Sequence, residues 1–206
     1  GYTTIEEVPA NNELDKNANL HITAVKRGDA IVDKPGIEKF LEKINYPLFF
    51  IDFETFMPAI PIYDHTKPYQ HIPFQYSIHY KKSKDSQLEH FYFLAEQGYD
   101  PRKDFLENLL KHTETEGTIL VYDALMETNI LNALKNQFPE YASAIDLRLK
   151  RFVDLMKPFQ EKLYYHPAMK NSFSIKNVLH ALVPDLSYKD LTISSGSIAM
   201  TAFEGL

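Results

Sequence analysis

The order of apolar segments predicts an α/β fold, a mixed sheet that opens with an antiparallel meander and carries helices on its faces. Three observations support that expectation. Strand-like runs at residues 47–53, 74–80 and 89–94 follow one another with no helical pattern between them. Helical periodicity then alternates with short apolar runs: helix 101–112, strand 118–122, helix 124–138, strand 152–155. Proline and polar turn residues punctuate the intervals, most densely at Pro58, Pro61, Pro68 and Pro73.

Taken in order, residues 1–42 are polar and rich in turn formers, and read as a linker or helical arm from an upstream region. Within them Thr3–Glu7 suits a short capped helix, and Asn19–Val25 another. After Pro35-Gly36, the spacing of Ile37, Phe40, Leu41 and Ile44 predicts a short amphipathic helix. Leu48-Phe49-Phe50-Ile51 has no alternation, so its strand is expected at the sheet centre with both faces covered. The polar turn Lys81-Lys82-Ser83-Lys84-Asp85-Ser86 links the second and third strands as a hairpin. Phe105, Leu109 and Leu110 mark the inner face of the next helix, and Ser174–Leu182 forms a later helix ended by Pro184.

Composition narrows the function classes. The 206 residues are 44% hydrophobic and 24% charged, ordinary for a globular protein large enough to fold without staples. The absence of cysteine excludes disulfides, thiolate zinc sites and a cysteine nucleophile. No run approaches the roughly 18 apolar residues of a membrane span, and no signal peptide pattern opens the chain; a cytoplasmic location is expected. A net charge of −6 gives no basic coat for nucleic acid, but an enzyme acting through bound cations has its acids offset by metal.

Asp52 and Glu54 finish the central strand two residues apart, and side-chain alternation sends both to one face. Paired acids at the end of an apolar strand either lie in solvent or are compensated by a cation or hydrogen bonds. At the next strand-to-helix junction stand Asp123, in a position suited to an N-cap, and Glu127, suited to the positive end of the helix dipole. Together the four carboxylates compose an oxygen-rich pocket for Mg²⁺ or Mn²⁺.

Phe50-Ile51-Asp52-Phe53-Glu54-Thr55 resembles the first motif of the DnaQ-like 3′→5′ exonucleases, the DEDD group with a ribonuclease-H-like fold. Val121-Tyr122-Asp123-Ala124-Leu125-Met126-Glu127 is similar to their second motif, with Asp123 at the asparagine position and Glu127 at the metal-binding aspartate position. The run from Tyr46 to Ser77, with Tyr164-Tyr165-His166-Pro167 and Leu182–Tyr188, resembles a bacterial family that often carries an upstream Cas4-like or RecB-like nuclease region. The resemblance implies a meander followed by parallel strands, a domain over 43–206, and two metal ions on Asp52, Glu54 and Glu127, with Asp123 as a further ligand candidate. It also implies DNA or RNA with a 3′ end as substrate, contacts from Thr55, Phe56, Tyr122 and Lys176, and Asp154 supporting the ligands from behind. Glu127 departs from the family's aspartate by one methylene. The third motif, Tyr-x-x-x-Asp or His-x-x-x-x-Asp, matches nothing after Ser174, so the fourth acid and the general base are expected beyond residue 206.

The remaining signals are weaker. His65, His71 and His79 flank the loop between the first two strands and read as solvated, with a substrate-facing role for two of them as the alternative; His166 reads as part of a packed aromatic patch, with stacking on a base as the alternative. Lys81, Lys82 and Lys84, and Arg148, Lys150 and Arg151, form basic clusters that read as charged turns or phosphate contacts. Ser172, Ser174 and Lys176 open a helix whose free N–H groups suit an anion. No Gly-x-Ser-x-Gly elbow, P-loop or dinucleotide fingerprint is present. The alternative to an exonuclease is a catalytically silent domain of the same fold that binds nucleic acid or a protein partner.

Overall fold

Three elements precede the main sheet: α1 (Lys16–Arg27), β1 (Ile31–Val32) and α2 (Lys34–Leu41). Their ends follow local chemistry. The Asp15 carboxylate accepts from the N–H groups of Asn17 and Ala18, and Gly28 at φ 66° closes α1. Asp33 caps α2, with Pro35 in its first turn. Thr3 and Glu7 bond each other as expected of a capped turn, without a helix following.

The chain then builds β2 (Leu48–Phe56), β3 (Ile72–Lys81), β4 (Leu88–Leu94), α3 (Arg102–His112), β5 (Thr118–Val121), α4 (Ala124–Gln137), α5 (Ala142–Leu149) and β6 (Phe152–Asp154). The last elements are α6 (Lys157–Gln160), β7 (Tyr164–Tyr165), α7 (Ile175–Leu182) and α8 (Gly196–Glu204). This computed structural model describes residues 1–9, 12–186, 191–193 and 195–205. Ser187 and Tyr188, part of one motif in the resemblance, lie outside the described residues. The chain divides into two units, Ile44–Leu155 with Leu191–Leu206, and Gly1–Lys43 with Met156–Asp190.

The larger unit holds a five-stranded sheet in the order β4-β3-β2-β5-β6. β2, β3 and β4 form the antiparallel meander, while β5 and β6 run parallel to β2. On one face Phe49, Ile51 and Phe53 of β2 and Tyr76 and Ile78 of β3 pack with Phe105, Leu106 and Leu109 of α3 and Ile130, Leu131 and Leu134 of α4. Each such side chain taken from water contributes about 1.5–3 kcal/mol before chain entropy is counted. The other end of β2 is covered by α8, where the Phe203 ring stacks on Phe74 with centroids 4.2 Å apart and tilts on Phe56 at 5.4 Å. Ser195 caps α8 through the Ile198 N–H.

Two expectations are corrected here. β2 is central but not covered on both faces: Phe50 is 37% exposed and Asp52 is open to solvent, so the strand alternates after all. The first 42 residues are not a separate arm. β1 pairs antiparallel with β7, and Ala24, Tyr165, Met169 and Val178 form a small core, so this segment shares a unit with Met156–Asp190. Tyr165 is fully buried and its hydroxyl bonds His21, the packed role read for this patch.

Candidate functional site

Asp52 and Glu54 point from the face of β2 opposite the α3 core, about 6.6 Å apart along the strand at 3.3 Å per residue. β5 pairs with β2 only from Leu48 to Phe50, so both acids lie past that ladder. The Asp52 carboxylate is accessible yet deep among surrounding atoms, and burial raises its pKa. Glu54 is raised by burial first and by the Asp52 charge second.

The turn from β5 into α4 supplies the second pair. Asp123 occupies the cap position, but at φ 64° and ψ 67°, and its side chain caps nothing. Instead its own N–H donates to Oδ1 of Asp154 at 3.0 Å, which ties the end of β6 to this left-handed turn. The expected capping role is thus corrected. Asp154, the residue expected to support from behind, holds the Asp123 backbone.

Glu127 follows one turn later and is 5% exposed, and among the described residues its Oε2 has no hydrogen-bond partner. Its own backbone N–H donates to the carboxylate and offsets part of the cost, but an ionised carboxylate so far removed from water remains costly. Its pKa is accordingly pushed up to about 7, by burial first and then by the charges of Asp52, Asp123 and Asp154. No basic side chain is among the groups shifting these three carboxyls.

The donor set offers oxygen ligands only, the kind a hard divalent cation takes, and Oε2 of Glu127 has no protein partner among the described residues. Among the described residues no three acidic or imidazole groups sit close enough together to share one ion.

The expected substrate contacts fare differently. Phe56 is 3% exposed and belongs to the Phe74–Phe203 cluster, a correction that follows from the β-bulge at Glu54/Thr55, which turns two successive residues inward. Thr55 is 8% exposed, and its hydroxyl lies 2.8 Å from Nδ1 of His71, so it reaches a ligand only through that imidazole. Tyr122 is half-buried beside the Asp123 turn. Lys176 lies on α7 in the other unit.

Sequence reasoning missed the cleft beside the acids. It measures about 440 Å³ between the loop before β3 and α4, lined by Tyr69, His71, Asp123, Leu125, Met126 and Asn129 among others. A second cleft of about 460 Å³ continues along α4 past Gln70 and Ala133 to His65 and Lys67. His79 instead stacks on His90 across the β3–β4 pair at 4.4 Å. Arg148 and Arg151 bond protein carbonyls: Arg148 ties α5 to α3 at Leu110, and Arg151 reaches Gly117 and Thr113 before β5, so both serve as internal ties.

Fold and site define an α/β protein with a carboxylate cluster at the ends of two adjacent parallel strands. Residues 49–174 match the family described as a domain of unknown function, DUF2779, and the chain belongs to that family. No curated protein and no solved structure matches it. No helix among the described residues is long and apolar enough to cross a membrane.

Proposed function

We propose that this chain carries the nuclease site of a metal-dependent phosphodiesterase, a 3′→5′ exonuclease of the DnaQ-like (DEDD) kind on a ribonuclease-H-like sheet. The single observation supporting the reading most strongly is Glu127, a buried carboxylate whose Oε2 has no partner among the described residues and whose ionisation is opposed by the charges of Asp52, Asp123 and Asp154. The strand order β4-β3-β2-β5-β6, with Asp52 and Glu54 on the central strand, supports the ribonuclease-H-like arrangement.

Asp52, Glu54 and Glu127 would hold Mg²⁺ or Mn²⁺, two ions in a complete site, with Asp123 at the margin. Bound metal would supply a nucleophilic hydroxide and neutralise charge on the scissile phosphate and leaving oxygen. The protein's own part is electrostatic. Asp52 and Glu54 on β2, with Asp123 and Glu127 at the start of α4, would repel phosphate, so bound cations would have to offset them for nucleic acid to bind productively. Glu127, with its pKa raised to about 7, would have to lose its proton to serve as a ligand, so cation binding would strengthen as pH rises through neutrality. Asp154 keeps the Asp123 turn in place and so fixes where α4 starts.

The test is hydrolysis of single strands labelled at either end. With Mn²⁺ at pH 8, a 3′ label is expected to leave as mononucleotide while a 5′-labelled strand shortens stepwise. Asp52→Asn is expected to cost at least about a hundredfold in rate. Endonucleolytic fragments, or equal rates in Asp52→Asn, would refute the reading. A folded protein that binds strands without cutting them would favour the silent domain.

A further inference from the structure

We infer that His71, oriented by the Thr55 hydroxyl, is a further substrate-contacting residue, holding the terminal nucleotide in the cleft between the loop before β3 and α4. The inference rests on the nucleic-acid reading above and deepens it.

Thr55 directly follows Glu54 on β2, and its hydroxyl meets Nδ1 of His71 at 2.8 Å. That bond ties an exposed imidazole to the strand end carrying both acids. The tie costs His71 side-chain freedom and returns no core packing, since the ring belongs to no hydrophobic cluster. When the Thr55 hydroxyl donates to Nδ1, the proton of the neutral ring resides on Nε2 and makes that nitrogen a donor. Nε2 has no partner among the described residues, and the ring lines the cleft.

The cleft suits a nucleoside. Its volume of about 440 Å³ lies within the usual range for small-ligand sites. The Tyr69 ring, 69% exposed, and the Met126 thioether, 41% exposed, give apolar surfaces for a base. Asn129 and Asp123 also line the cleft, and Asn129 offers an amide to a base edge. The wall is prepared in advance. The Tyr69 N–H donates to the Pro58 carbonyl at 2.9 Å, and Arg102, paired with Asp100, reaches the Asp64 carbonyl at 2.7 Å. A loop anchored at both points holds Tyr69 and His71 ready without ordering on binding.

Calorimetric titration with adenosine 5′-monophosphate in Mn²⁺ buffer tests the assignment, using the full chain and its His71→Ala, His71→Gln, Thr55→Val and Ala133→Phe variants. His71→Ala is expected to weaken binding about tenfold, the loss of one good hydrogen bond. His71→Gln, which keeps a donor, is expected to recover part of it. Thr55→Val is expected to lose several-fold through the freed ring, and Ala133→Phe to block the cleft. Failure of the wild-type protein to bind the nucleotide, or equal affinity in His71→Ala, would overturn the inference. Mn²⁺ titrated alone reports on the acid cluster separately: unchanged metal affinity in His71→Ala with lost nucleotide affinity supports His71. Nucleotide binding that tracks His71 in a protein that takes up no Mn²⁺ would sink the metal reading and leave the cleft standing.

Discussion

Replacing Glu127 with glutamine should stabilise the metal-free protein at alkaline pH. Burial and three neighbouring acids raise this carboxyl from an ordinary 4.5 to about 7. That corresponds to about 3 kcal/mol, at roughly 1.4 kcal/mol for each tenfold step. The folded state then binds the proton more tightly than the unfolded chain. The stabilisation is fully present below pH 4.5 and is lost as pH rises through 7. Wild-type protein in EDTA should therefore lose about 3 kcal/mol between pH 4.5 and 8, a fall of about 6–12 °C in Tm for a chain of this size. Glu127→Gln removes the ionisation, so its stability should change much less over that range and exceed wild type at pH 8. Some slope should persist, because Asp52 and Glu54 are raised in the same direction. Thermal denaturation of both proteins across the range decides the matter. A wild-type Tm that rises from pH 5 to 8, or a Glu127→Gln protein less stable than wild type at pH 8, would refute the reasoning.

Other outcomes follow from packing and backbone geometry. Phe105 is fully buried against the rings of Phe53, Tyr76 and Phe93, at 5.1, 5.3 and 5.8 Å, so Phe105→Ala should cost about 3–5 kcal/mol in urea denaturation. Gly117 has φ +121°, and a Cβ there would lie 2.1 Å from the Pro47 carbonyl oxygen; Gly117→Ala should destabilise by more than about 2 kcal/mol. At Gly196 an added Cβ would meet Oε2 of Glu54 at 3.0 Å. Gly196→Ala should therefore weaken Mn²⁺ binding several-fold while leaving thermal stability equal or slightly raised, by up to about 1 kcal/mol, because alanine favours the helix. Unchanged Mn²⁺ affinity would show that Glu54 does not hold the ion.

Much of the sheet was legible because its residues announce their environment locally. Apolar runs bounded by prolines and polar turns marked β2 to β6, and the helical spacing of Phe105 and Leu109 marked α3. What escaped depended on partners remote in the chain. β1 and β7 are two residues each and exist only by pairing across 134 positions, Ile31 with Tyr165. α8 carries a legible cap in Ser195, but its apolar face is defined by Phe56 and Phe74, far earlier in the sequence. The site shows the same division. Asp52, Glu54 and Glu127 could be named from pattern, whereas the Thr55–His71 bond and the left-handed Asp123 arise from a bulge and a turn that no residue type declares. The resemblance put Phe56 against the substrate, whereas the bulge interrupts the period of two and turns it into the core.

The most direct test of the carboxylate cluster is calorimetric titration of Mn²⁺ at pH 8 into the wild-type chain and Asp52→Asn. Saturable binding that releases protons, strengthens with pH through 7 and disappears in Asp52→Asn is the predicted result. Absence of binding in the wild-type protein, or the same affinity in Asp52→Asn, would contradict a cation site at the end of β2.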